Sequence, residues 1–414
     1  MRPAAWVFVA LAGCNATDEV APWPAGVALL SNLSQGSWSW GSPTGASPFL
    51  TAADLDPGCA DCIGFQGRLR TGADGETEAV LTWSQHDGGA DDLRSRAGGV
   101  DVNTSALRWQ IDSIDLSNFP GVCTPDPADP CRPAEDATGA ARGACQLKMA
   151  HDVQVVNETD NARTLWIADA ANARVLEVVL EDGARCGVVQ TVLDATNADW
   201  DVYNSPNRLH WFEDDAGAHL WITQKGSTPS TVEGVAQHAD ISSGKLTGWT
   251  KTQGVWGQDW EFPPQSTEAA SFLNTPHGLS APGDSLVYAH SLSDSWEWGA
   301  GTGGSIGIAA FDAAGMPVYA GDARLDRGYL HFPRSVTPLP DGSYLVLDSG
   351  CFDAAGCEFP SQAWRVRLPE LQPAAQLGRW DRDSTELNWT TAQVLDGPLW
   401  TTEDTLYSVE WLGS

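Results

Sequence analysis

The chain has 414 residues, with 23 Lys and Arg against 54 Asp and Glu, a formal charge of −31. So acidic a surface repels phosphate backbones, which excludes nucleic-acid binding through a basic patch. With 42% hydrophobic residues and 20 Trp the chain can bury a large core, which excludes disorder.

In chain order the first element is Met1 to Ala12, one Arg at position 2 followed by an apolar run from Trp6. That run is far shorter than the ~20 residues a spanning helix needs, so it reads as a signal segment. Leu11-Ala12-Gly13-Cys14 resembles the bacterial lipoprotein box, in which the Cys is lipid-modified and the peptide before it removed. The resemblance implies a signal peptide over 1–13, a tether over 14–25 and a lipid on Cys14 that holds the protein to a membrane of the bacterial cell envelope. Asn15 carries no inner-membrane retention signal, so the outer membrane is expected, with the protein facing the periplasm or the exterior.

Eight further Cys, at 59, 62, 123, 131, 145, 186, 351 and 357, suit four disulfides in an oxidising compartment. Cys123 with Cys131 and Cys351 with Cys357 are the expected local bridges. Cys59-Ala60-Asp61-Cys62 has the spacing of redox and haem motifs, but Ile63 stands where haem attachment needs His, so a structural role is expected.

Helical periodicity is scarce, and what recurs is a strand, a polar turn and a second strand rich in Val, Leu, Trp and Tyr. Six such hairpins can be read: Arg68 to Trp83, Val153 to Ala170, Leu209 to Gln224, Gly278 to Ser291, Val336 to Ser349 and Ala392 to Asp404. From His151 the units start at Arg208, His277, Arg334 and Thr391, at intervals of 57, 69, 57 and 57 residues. This spacing predicts an all-β chain, a single six-bladed β-propeller over 26–414 that closes its own sheet edges. The last unit lacks an outer strand, which Gly26 to Gln35 is expected to supply. A seven-bladed ring, with Gly98 to Ile114 as a blade of its own, is the alternative. The Cys- and Pro-rich stretch 115–143 reads as a loop between blades.

AHDVQVV with LWIADAANARVLEV, TPHGLSAPGDSLVYAHS and FPRSVTPLPDGSYLVLDSG resemble NHL-type repeats, matched best at Ile167, Asp169, Asn172, Arg174 and Val175. The third unit departs at Gln224 and the fourth at His290, where the pattern has Asp. A second resemblance, to arylsulfotransferase propellers, rests on His-Asp before the inner strand. It implies axial His and Arg residues that accept and pass a sulfuryl group.

In a blade the first strand starts on the face to which the second returns, so residues at those two points share one rim. Unit by unit this pairs Gln66 with His86, His151 with Asp169, Asn207 with Gln224, His277 with His290, Arg334 with Asp348 and Thr391 with Glu403. Imidazoles beside carboxylates can move protons near neutral pH, and Arg can clamp an anion. Two readings follow. In the first the rim binds a small anionic ligand or a protein partner through His86, Asp169, Asn207, His290 and Asp348. In the second it is an enzyme of arylsulfotransferase or lyase type, with His151, His277 and Arg334 as the catalytic set. Nothing in the sequence calls for a cofactor or a metal.

Overall fold

Runs of Val, Leu, Trp and Thr punctuated by Asp, Gly and Asn fold here almost wholly into antiparallel strands. The structure, a computed structural model, describes residues 22–413 apart from 60–61, 87–92, 138, 195–205, 215–216, 225–244, 253–254, 263–275, 281–284, 291–303, 312–316, 328–329, 351–358 and 370–388. Among the described residues the strands form three sheets of four, one of five, one of eight and a two-stranded ribbon. The eight-stranded sheet is two antiparallel groups of four joined by a parallel pair, and the antiparallel groups of four make up six units. Their inner strands are Ile63–Thr71, Ala150–Glu158, Pro206–Asp214, Pro276–Ser280, Pro333–Pro338 and Leu406–Gly413. Each inner strand lies against those of the units before and after it, and the sixth against the first. The chain is therefore an all-β propeller. Leu93–Asp101 and Leu107–Ile111 complete the first unit's sheet, and Ser113–Asp115 pairs parallel with the second unit's Cys186–Leu193, so Gly98 to Ile114 is divided between two sheets and forms none of its own.

Closure differs from the expectation. The sixth unit takes its inner strand, Leu406–Gly413, from the C-terminal end and its other three, Gly26–Asn32, Ser37–Ser42 and Gly45–Thr51, from the N-terminal end. Gly26 to Gln35 thus supplies a second strand, not a missing outer one. The hairpin read at Ala392 to Asp404 is instead part of one long outer strand of the fifth unit, Trp389–Thr402, paired antiparallel to Ser361–Arg367 and parallel to the fourth unit's Pro317–Leu325. Its Asp396-Gly397-Pro398 does not reverse the chain, because the strand absorbs the irregularity as shifts of register against Ala363 and Arg365.

Apolar faces pack between neighbouring units. Val80, Ile111, Val153, Ile167, Leu176 and Val178 are buried together between the first and second, each contributing about 1.5–3 kcal/mol by leaving water. Trp38 meets Trp83 edge-on across the sixth and first units, and Trp166 stacks on Trp211 across the second and third. Trp83 and Trp166 thus pack between units.

The Cys- and Pro-rich stretch carries a short ribbon, Pro125–Asp126 with Asp129–Pro133, and a helical turn, Gly139–Ala144. Its disulfides are Cys123–Cys145 and Cys131–Cys186, so the expected Cys123–Cys131 pair is wrong. Cys131 stands on the ribbon's second strand, which lies against Ser113–Asp115, itself paired with the second unit's outer strand where Cys186 begins, while Cys145 directly follows the helical turn. Cys59 and Cys62 are bonded to each other. Cys14, Cys351 and Cys357 lie outside the described residues.

Candidate functional site

One local feature recurs in all six inner strands. Pairing with the second strand passes directly from Gly64 to Gly67, Ala150 to Asp152, Pro206 to Arg208, Pro276 to Leu279, Pro333 to Ser335 and Ser408 to Leu406. Each skip is a bulge, and a bulge re-aims the side chain it leaves out of the ladder. The skipped positions include Gln66, His151, Asn207, His277, Arg334 and Tyr407, all between 2% and 5% exposed. In three units a hydroxyl on the second strand takes over the displaced amide: Thr82 accepts from Gln66 N at 2.9 Å, Thr223 from Arg208 N at 3.0 Å and Ser31 from Ser408 N at 2.9 Å.

The inner strands line the axis, and there four of these side chains, His151, Asn207, Arg334 and Tyr407, meet across units. The Tyr407 hydroxyl donates to Asn207 Oδ1 at 2.8 Å, bridging the sixth unit to the third. His151 Nδ1 lies 3.1 Å from the same oxygen and 3.3 Å from the Tyr407 hydroxyl. Since Asn207 Oδ1 can only accept, the network assigns the ring proton of neutral His151 to Nδ1. The Arg334 guanidinium lies 4.8 Å from the Phe332 ring centre and 5.0 Å from that of Tyr407, and its Nε donates to Ser349 Oγ at 3.0 Å. His277 meets Phe332 edge-on at 5.3 Å. Burial pushes the Tyr407 phenol up to about 12 despite Arg334 nearby, so at neutral pH it is a neutral donor. Gly278, next to His277, has Ser335 Cα 2.6 Å from where a Cβ would stand, so only glycine lets the fourth and fifth inner strands approach this closely.

The residues that follow the bulges carry a second, ionic layer. Arg68 forms a two-pronged ion pair with Asp152, its Nε at 2.7 Å from Oδ1, and also donates to the Leu209 carbonyl. Arg208 pairs with Glu410 on the far side of the axis. Burial alone would raise the Asp152 carboxyl, but Arg68, Arg208 and the Leu209 N–H hold it below the usual carboxylate range. Burial lowers His210 to about 4, helped by the positive charges of Arg68 and Arg208.

The remaining residues of the predicted rim do other work. Asp169 accepts from Lys148 N at 2.6 Å, Asn172 Nδ2 at 2.9 Å and Arg174 Nε at 2.7 Å. Asp348 accepts from the backbone of His331, Phe332 and Gly350. Both are fully buried and tie down the segment that leads into their own inner strand. Burial raises the Asp348 carboxyl against those three amide bonds. His86 and His290 end second strands, paired with Leu93 and with Pro276 and Ser305, and their side chains lie outside the described residues. So does that of Gln224. Thr391 and Glu403 do not form a rim pair. Thr391 is exposed on the outer strand beside Arg324, and Glu403 sits in the exposed turn before Leu406.

Tyr407 was missed, because Thr391 stood in its place. The signal was present: Tyr407-Ser408-Val409 repeats the polar-small-aliphatic opening of Arg334-Ser335-Val336. Away from the axis, a cleft of about 720 Å³ lies between the disulfide-bonded stretch and the first unit, lined by Arg94, Arg96, Arg132 and Arg142 but equally by Asp112, Asp126, Asp129 and Glu135. Among the described residues no three His, Cys, Asp or Glu side chains come together as metal ligands.

No protein-family model and no curated protein matches the chain. Similar solved structures include a periplasmic gluconolactonase from Pseudomonas aeruginosa, 11% identical over 94% of this chain and 99% of that one, with a TM-score of 0.47. A protein from Lactobacillus plantarum is 12% identical over 94% and 99%, TM-score 0.44. A Bacteroides caccae protein of unknown function is 9% identical over 94% and 100%, TM-score 0.44.

Proposed function

We propose that this propeller binds a small anionic ligand at the axial end of its inner strands. One observation carries the reading: all six inner strands break their ladder at the same place, and each break releases one polar side chain, none of them a carboxylate. A ladder break costs backbone pairing, and repeating it six times around an axis makes a site rather than a core. Arg334 supplies the positive charge, while Asn207 Nδ2, buried and without a hydrogen-bond partner, supplies a donor. We read the units as six NHL-type blades, a reading supported in the second by Asp169, which ties Asn172 and Arg174 together. The enzyme reading would draw on His151, His277 and Arg334 of the same cluster.

A thermal-shift screen against carboxylates, sulfate esters, inorganic phosphate and divalent metals tests the site. Anions should raise the melting temperature of the unaltered protein, and Arg334→Ala and His277→Ala should abolish that rise. A rise that survives in both variants, or none with any anion, refutes it. Turnover of an aryl sulfate lost in His277→Ala would move the assignment to the enzyme.

The chain is also read as exported and lipid-anchored to the outer membrane through Cys14, on the strength of Leu11-Ala12-Gly13-Cys14. Cys14→Ala should then release the protein from membranes, and persistent membrane association of that variant would count against it.

A further inference from the structure

The inner strand Leu406–Gly413 starts at the axial site and runs away from it, so Gly413 lies on the opposite face. Gly26 pairs with Gly413 and Asn32 with Leu406, which puts the start of the first N-terminal strand on that opposite face too. The residues before it are fastened there. Trp23 Nε1 donates to Asp396 Oδ2 at 2.7 Å, and the ring packs 6.5 Å from Trp400 and 5.8 Å from Trp411. Arg365 lies 5.1 Å from the Trp23 ring centre and donates to the Pro22 carbonyl at 3.0 Å, while pairing with Asp341. A buried guanidinium and three indoles therefore decide where the chain leaves the propeller.

We infer that the membrane anchor holds the propeller with its axial site pointing away from the bilayer, so that the site takes a ligand dissolved in the surrounding compartment and not one embedded in the same membrane. This rests on the reading of Cys14 as lipid-modified. Between Cys14 and Pro22 there are eight peptide links, at most ~29 Å when fully extended. The eight-residue inner strand alone makes the propeller ~26 Å tall. Turning the site toward the bilayer would use the whole tether to run up the side of the molecule and leave no gap for a ligand. The face nearer the membrane also carries acidic turns, with Asp74, Asp160 and Asp182 exposed, and these stand off from anionic headgroups instead of adhering to them.

The test uses full-length protein purified from membranes and placed in liposomes whose headgroups carry an acceptor dye. A donor dye is attached at Gln35→Cys, in the exposed turn on the site's face, or at Ala73→Cys or Asp160→Cys, in exposed turns on the opposite face. The unsubstituted chain labelled in parallel sets the background. Energy transfer should be about threefold or more greater from positions 73 and 160 than from 35, given the ~26 Å between faces. Equal transfer, or more from position 35, in protein whose N-terminal peptide carries lipid on Cys14 overturns the inference alone. No transfer from any position, with Cys14 unmodified, removes the lipid reading and this inference with it.

Discussion

Two groups of residues that the strand pattern places on one rim behave in opposite ways. Those at the bulges of the inner strands, from Gln66 round to Tyr407, are released from the ladder, and Tyr407, Asn207 and His151 among them join across units at the axis. Those at the ends of the second strands, Asp169 and Asp348, spend their oxygens on backbone amides and, for Asp169, on Asn172 and Arg174. The difference teaches that proximity to the axis is not enough to make a site residue. A carboxylate already saturated by amides holds a loop, whereas a side chain freed by a bulge has a face to offer.

The largest effect that can break this division is expected at Asp169. Asp169→Ala leaves the Arg174 guanidinium buried without its charge partner, which costs about 3–5 kcal/mol. Asp348→Ala should cost a comparable amount, because it leaves the amides of His331, Phe332 and Gly350 without an acceptor in the interior, at about 1–3 kcal/mol for each that finds no other partner. Denaturant midpoints measure both, and the fraction that still folds should bind ligand normally. A loss of affinity without a loss of stability would return these carboxylates to the site.

Next comes the ionic layer, read through pH. Asp152 is held below its ordinary value of 3.8, so its contribution is complete above that pH and is lost as pH falls toward the lower folded value. His210 is held at about 4, so the folded state loses stability as pH falls from 6.5 toward 4, by at most ~1.4 kcal/mol per pH unit for one proton. His210→Gln should flatten the slope between pH 6.5 and 4, and Asp152→Asn only the limb below 3.8. Chemical-denaturation curves across pH 3 to 8 would show either slope unchanged if the assignment is wrong. The smallest effect belongs to Tyr407→Phe, about 1 kcal/mol for one hydrogen bond, since His151 still serves Asn207. Its thermal shift with anions should shrink even so. If this change costs as much as Asp169→Ala, the axial residues are structural too.

Much of this was legible beforehand, and the failures have physical causes. Five inner strands announced themselves through a polar residue before an aliphatic one, with Pro206, Pro276 and Pro333 setting the approach. The sixth did not, because its partner strand lies at the other end of the chain: Ser31 and Ser408, bonded at 2.8 Å, are 377 residues apart. Asp396-Gly397-Pro398 has turn composition, yet the neighbouring strand Ser361–Arg367 supplies enough pairing to keep the chain extended through it. Whether Asp169 would face the axis or its own loop depended on which amides came within reach, and alternation along a strand carries no record of that.

The two-ended sixth unit has a consequence for how the molecule comes into being. As a chain is made from its N-terminus, the strands from Gly26 to Thr51 emerge long before Leu406–Gly413, the strand that completes their sheet. The other five units can assemble in order, but the ring stays open until Leu406–Gly413 is delivered. That strand brings Tyr407, so a chain cut before it lacks both the closing strand and the hydroxyl that reaches Asn207. Closure of the ring and completion of the set of bulged axial side chains are thereby one and the same event.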